Sequence, residues 1–347
     1  MKRLKKIIFP LAAACGLLML IIDAKNAIAG AQEGVNMCIK TLIPSLFPFF
    51  VISGYFCRVS SEINVPFLRP ILKLCGMPSG TESLLIIGIL GGYPVGAKTI
   101  ADAWREGRIK YDDAIRLLGF CSNAGPAFVF GIIGGMFNSQ LISWCLLAIL
   151  ILSAIFTGWL LPRNNYTETI KTSNHAVRLS EIFNGSLKSI ASVCGWVILF
   201  RVILTVIKRW ALWFLPDEVQ IIIMGILELS NGCLALSGIH NEGLRFMLSA
   251  AMLSFGGLCV YWQTVSVTED LGSGYYFPGK ILQCLICLVL SAVAQLYLFP
   301  INQRLDLREI IIPTLIICLT IAVLKLYYNK KTVAFSRFFI YNTGNQV

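Results

Sequence analysis

Gly91-Gly92-Tyr93-Pro94-Val95-Gly96-Ala97-Lys98 follows directly on the apolar run 84–90 and cannot continue it as a lipid-facing helix. Glycines and a proline leave backbone groups unpaired, and hydrocarbon holds no water to satisfy them. Such a break survives at membrane depth only where protein or a wet cavity covers it. The stretch therefore reads as the tip of a re-entrant hairpin, and such tips are places where solutes and ions bind.

The membrane reading rests on the whole chain. Hydrophobic residues make up 56%, charged residues 14%, and the mean hydropathy is +0.75. A soluble domain carries roughly 25% charged residues. Apolar runs recur at 7–22, 41–57, 117–137, 140–161, 187–208, 246–266, 279–300 and 309–328. About 20 such residues cross a bilayer. The chain reads as an all-α, polytopic protein of the cell (inner) membrane, in contact with lipid.

The net charge of +11 does not point to nucleic acid. The basic residues gather at Lys2, Arg3, Lys5 and Lys6, between Lys98 and Arg116, in the 163–188 loop, and at Lys330, Lys331 and Arg337. That asymmetry is what the positive-inside rule produces, and it puts both termini in the cytoplasm. The twelve cysteines lie mostly inside apolar runs, where they act as small hydrophobes. Cys284-Leu285-Ile286-Cys287 has C-x-x-C spacing but falls in mid-span without a histidine nearby. The pattern calls for no metal and no cofactor.

Taken in order, residues 1–40 supply an N-terminal span, retained as an anchor rather than cleaved, and an interfacial helix from Asp23 to Lys40. That helix has Ala24, Ala27, Ile28, Ala31, Val35 and Cys38 at helical spacing, as for a surface-lying element. Residues 41–161 form a first repeat, 162–186 a polar cytoplasmic linker, and 187–300 a second repeat. A C-terminal span and basic tail occupy 301–347. In the first repeat, Ser122-Asn123-Ala124-Gly125-Pro126 interrupts a span, because Pro126 removes a donor and frees a carbonyl.

The two halves echo each other. Gly88-Ile89-Leu90 before the first tip is matched by Gly225-Ile226-Leu227 before Glu228-Leu229-Ser230-Asn231-Gly232. The interruption at Asn123 to Pro126 is matched by Ser254-Phe255-Gly256-Gly257, and a plain span follows each. This is the pattern of a diverged duplication. Eight crossings and two hairpins would send the second half through the membrane in the opposite sense. The result is an inverted repeat with two re-entrant hairpins and two interrupted helices meeting at the midplane.

The candidate binding residues cluster at these breaks. At the first tip, Gly91, Gly92, Pro94 and Gly96 either expose amides to a ligand or only let the chain turn. Tyr93 offers a ring and a hydroxyl, and Lys98 either pairs with an anionic solute or snorkels to headgroups. Asn123, Gly125, Pro126, Ser230, Asn231, Gly232, Ser254 and Gln263 either contact solute or satisfy freed backbone. Glu228, a carboxylate after the apolar run 221–227, is costly in lipid and so a functional candidate. It either couples transport to Na⁺ or H⁺, or pairs structurally with Arg201. The phosphate-loop spacing is wrong for 91–98 and a soluble α/β unit is lacking. No H-E-x-x-H or G-x-S-x-G signature sits near the breaks, which argues against an enzyme.

The GGYPVGAK tip (91–98), the SNAGP break and ELSNG, together with Pro44-Ser45-Leu46-Phe47-Pro48-Phe49-Phe50, resemble the YlbJ-type sporulation integral membrane proteins. Those belong with the nucleoside-recognition "Gate" domain families. The resemblance implies an endospore-forming source and a role in spore cortex formation. More distantly, the arrangement is similar to the concentrative nucleoside transporters. Their Gln-Thr-Glu hairpin signature is replaced here by Gly92-Tyr93-Pro94. The expectation is a carrier of a small polar or anionic solute, compatible with a homo-oligomer. The alternative is a non-transporting scaffold in spore envelope assembly.

Overall fold

A computed structural model describes residues 14–59, 65–162 and 179–303, with isolated positions at 10, 305–306, 314, 316–317 and 319–320. The basic N-terminal cluster, the linker residues 163–178 and the C-terminal tail lie outside the described residues. Among the described residues every regular element is helical. Five helices are long and apolar enough to cross a membrane: Ala24–Phe56, Gln140–Leu160, Leu179–Leu212, Glu242–Leu271 and Tyr276–Leu298. The chain is an all-α polytopic membrane protein.

The first long helix differs from the sequence expectation. No separate surface helix ends at residue 40. Ala24–Met37 runs through one wide turn, Cys38–Leu42, into Ile43–Val59. The amide of Ile43 bonds to Cys38 O, five residues back, just before Pro44. A proline has no amide to donate, so one wider turn keeps the helix going where a regular one would lose a bond.

That helix lies antiparallel against Leu179–Ile207. Gly30 abuts Thr205, Gly34 abuts Ile198, Cys38 Sγ donates to Cys194 O at 3.7 Å, and the Phe47 ring meets Phe183 at 5.4 Å. A Cβ on Gly30 would sit 2.6 Å from Thr205 Oγ1, so the backbones touch only because both seam positions are glycine. Ile28 and Val35, on the other face, are exposed. In lipid the apolar residues gain nothing by turning inward, and small residues make the protein contact.

Each half then continues in the same order. The first hairpin is Glu82–Leu90 and Val95–Arg105, joined by a turn with Gly92 at φ +73° and a cis Tyr93–Pro94 bond. It packs on the first break, the non-helical segment 119–125 between Tyr111–Leu118 and Pro126–Phe137. A Cβ at Gly88 would overlap the Cys121 carbonyl. The second hairpin is Asp217–Leu227 and Leu229–Ala235, hinged at the extended residue Glu228. Its arms cross at Gly225 and Gly232, where a Cβ on Gly232 would overlap the Gly225 backbone.

The second break is sharper than the first. Glu242–Phe255 and Gly257–Thr268 are separated by Gly256 alone, and Gly256 and Gly257 stand at φ +81° and +83°. Two consecutive left-handed residues require glycine and redirect the helix. Corresponding spans also oppose each other. Leu161, after Gln140–Leu160, and Gly279, near the start of Tyr276–Leu298, both pack on Gly119. At the other end Phe137 meets Phe299 at 6.2 Å. These two helices are therefore antiparallel as well.

Candidate functional site

A cavity of about 330 Å³ lies where both hairpin turns, the first break and the helix after the second break converge. Leu90 to Tyr93 enclose it from the first tip, Ala124 and Gly125 from the first break, and Glu228 to Ser230 from the second hinge. Val260 and Gln263 come from the helix after the second break, and Thr41, Ser45 and Phe49 from the first long helix. The volume suits a small molecule, and the wall is mostly apolar with a few polar groups.

Of the sequence candidates, Gly91, Gly92, Tyr93, Gly125, Glu228, Ser230 and Gln263 line this cavity. Two of the polar ones already have local partners. Glu228 is buried and caps Leu229–Ala235, its two carboxylate oxygens accepting the amides of Ser230 at 2.9 Å and Asn231 at 2.8 Å. A carboxylate at that hinge thus satisfies donors that the helix start leaves free. Arg201 does not pair with it. Its guanidinium faces Ala24–Met37 instead, 3.7 Å from Glu33. Gln263 donates to Cys259 Sγ at 3.1 Å.

The remaining candidates lie elsewhere. Gly96 packs on the Cys121 carbonyl and Gly232 on Gly225, both structural contacts. Pro94 precedes the second arm of the first hairpin, and Pro126 starts the helix after the first break. Lys98 pairs with Asp102 one turn on and lines a small separate crevice with Glu181. The Asn231 side chain lines another crevice, with Arg201. Ser254 bonds its hydroxyl to Ala250 O at 2.8 Å and offers its own carbonyl to the Tyr93 hydroxyl at 3.1 Å.

Asn123 opens a second centre behind Tyr93. Its Nδ2 donates to Phe120 O at 2.9 Å, a carbonyl freed by the break. Its Oδ1 accepts from Lys280 Nζ at 3.1 Å and Gln283 Nε2 at 2.8 Å. Lys280 also reaches Gln283 Oε1 at 2.7 Å and stands over the Tyr93 ring at 5.1 Å and the Tyr276 ring at 5.7 Å. Gln283 and Cys287 both contact Ser153 Oγ. Lys280 is fully buried, and no carboxylate lies within ion-pair distance among the described residues. Amide oxygens and aromatic faces hold this amine in place of an acid.

The sequence reading missed Lys280 and Gln283. One signal was there: Tyr276, Lys280 and Gln283 stand four and three residues apart, on one helix face. An isolated lysine in the first turn of an apolar run passes for a residue at the membrane boundary.

Charges also join the halves at one end. Arg105 donates to Thr268 O at 2.9 Å and lies 3.1 Å from Asp102, 3.5 Å from Glu269 and 3.4 Å from Asp270. Lys188 pairs with Glu269 at 2.7 Å. Glu269 and Asp270 thus each lie within ion-pair distance of a cation.

Comparison with known proteins agrees with this architecture. The chain is 25% identical over 308 aligned positions to the sporulation integral membrane protein YlbJ of Bacillus subtilis (strain 168). That likeness covers 73% of this chain and 74% of the relative. No family model and no solved structure matches. Joined to the helical membrane architecture and to the motifs at residues 91–98, 122–126 and 228–232, the likeness supports the resemblance to the YlbJ-type integral membrane proteins.

Proposed function

We propose that the protein is a secondary-transporter-like carrier that serves sporulation, moving a small polar or anionic solute such as a nucleoside-like compound. The observation behind this reading is the convergence of both hairpin turns, the first break and the helix after the second break on one cavity of about 330 Å³. The antiparallel course of corresponding long helices supports an inverted repeat, in which the hairpins enter the membrane from opposite faces. Solute sits against Tyr93, Ser230 and Gln263, and a Na⁺ or H⁺ is held near Glu228. One half rocks against the other around this point, with both termini in the cytoplasm. The sporulation role follows from the name of the Bacillus relative.

The test is a thermal-stability screen of the purified protein against nucleosides, peptidoglycan precursors and small anions. A ligand held in the cavity raises the melting temperature by mass action, by about 2.7 kcal/mol of stabilisation at a hundredfold excess over Kd. The shift should vanish in a Gln263→Leu, Ser230→Val variant that still inserts and folds. If no class shifts the wild type, or the double variant keeps the shift, the carrier reading fails and a scaffold takes its place.

A further inference from the structure

A second crevice, of about 360 Å³, opens between Ala24–Met37, the end of Leu179–Leu212 and the second hairpin. Its polar lining is Asn26, Glu33, Arg201, Thr205, Lys208, Arg209 and Asn231, three cations to one carboxylate. What sets it apart is a surplus of donors. Arg201 Nε and Asn231 Nδ2 are buried and find no acceptor among the described residues. Arg201 spends one Nη on the Met37 thioether, at 3.4 Å, and the other on Glu33, at 3.7 Å. Arg209 is 3.7 Å from Asp23, while Lys208 has no ion pair among the described residues. A buried donor without an acceptor costs free energy, and charged donors cost more.

The position fits the same reading. Trp210, Trp213 and Phe214 are exposed and follow Lys208 and Arg209 in the chain, at the end of a membrane-length helix. Exposed tryptophans at such a place mark the headgroup level of the bilayer. An arginine fork, a mobile ammonium and an amide converging there match the several oxygens of one phosphate group. We infer that this crevice is a binding site for a phosphate-bearing anion, engaged by Arg201, Lys208, Arg209 and Asn231. The phosphate comes from an anionic phospholipid headgroup or from a free phosphate in water. The site is independent of the central cavity, although Asn231 belongs to both neighbourhoods: its amide bonds Glu228 and its side chain faces the crevice.

The experiment uses the full chain, delipidated in neutral detergent, and reads tryptophan fluorescence and melting temperature. One arm adds phosphatidylglycerol, with phosphatidylcholine as its control. The other adds inorganic phosphate, with potassium chloride at matched ionic strength. Saturable binding in either arm is expected, and which arm responds identifies the source. Lys208→Gln, at an exposed position, should weaken that binding about tenfold, and Asn231→Ala should weaken it too. Lys188→Gln, on the same long helix but at the far end, should leave it unchanged. The proposal is overturned if wild type responds in neither arm. It is equally overturned if Lys208→Gln, alone or with Arg209→Gln, binds as the wild type does.

Discussion

The hydroxyl of Tyr93 donates to the carbonyl of Ser254 at 3.1 Å, so the turn of the first hairpin is bonded to the interruption in the second half. The Leu253 carbonyl, 3.2 Å away, shares the same proton. Both carbonyls precede Gly256, whose left-handed backbone ends the helix there.

Tyr93→Phe removes this hydroxyl and keeps the ring beneath Lys280. Unfolding in mixed detergent should show a loss of about 1–2 kcal/mol, the cost of leaving a buried acceptor bare. Tyr93→Leu, which also takes away the aromatic face, should lose more. Equal stability of the two variants would mean that the ring contact with Lys280 contributes nothing.

At the crossing of the second hairpin, Gly232→Ala places a methyl group into the Gly225 backbone. Neither backbone can yield without opening the hairpin, so the loss should exceed about 2 kcal/mol or prevent folded insertion. Gly195→Ala meets nothing within 4 Å and should be neutral or stabilising by up to about 1 kcal/mol. Melting temperatures of the two purified variants decide this.

The buried amine makes an asymmetric pair of predictions. Lys280→Met deletes a charge whose burial is itself expensive, and Gln283 still donates to Asn123. Its stability should stay within about 1 kcal/mol of wild type or rise. Asn123→Leu instead strips an acceptor from Lys280 and a donor from the Phe120 carbonyl, and should cost about 3 kcal/mol. Were Lys280→Met the more damaging change, the amine would be acting as a structural anchor rather than as a tolerated charge.

Glu228→Gln has a structural effect that must be separated from any effect on solute. An amide side chain offers one oxygen where the carboxylate offers two, so one of the Ser230 and Asn231 amides goes unpaired. A loss of about 1 kcal/mol in thermal or chemical unfolding is expected without any ligand present. A variant as stable as wild type would show that capping is not what holds this residue in place.

The breaks were legible because glycine and proline act locally. Gly91-Gly92-Tyr93-Pro94, Asn123 to Pro126 and Gly256-Gly257 interrupt helices whatever surrounds them, and each does so here. The packing face of Ala24–Met37 was not legible, since the rule that apolar residues turn inward comes from water. In lipid the seam went to Gly30 and Gly34, and Ile28 and Val35 face outward. The partners of Glu228 and Lys280 depend on which helices meet, and spacing along one strand of sequence does not contain that. Proximity to a break brought Gln263 and Ser230 to the cavity wall, whereas Gly96, Gly232 and Ser254, chosen on the same ground, make backbone contacts away from it.

The bond from Asn123 to Lys280 also sets an order of events at the ribosome. The two residues stand 157 positions apart, so the first break enters the membrane while its donors are still unmade. At about 5–20 residues per second, the wait is roughly 8 to 30 s. Through that interval the exposed amide oxygen must borrow its hydrogen bonds from water, lipid or the insertion machinery. Truncation anywhere before the last long helix should leave a product that quality-control proteases recognise.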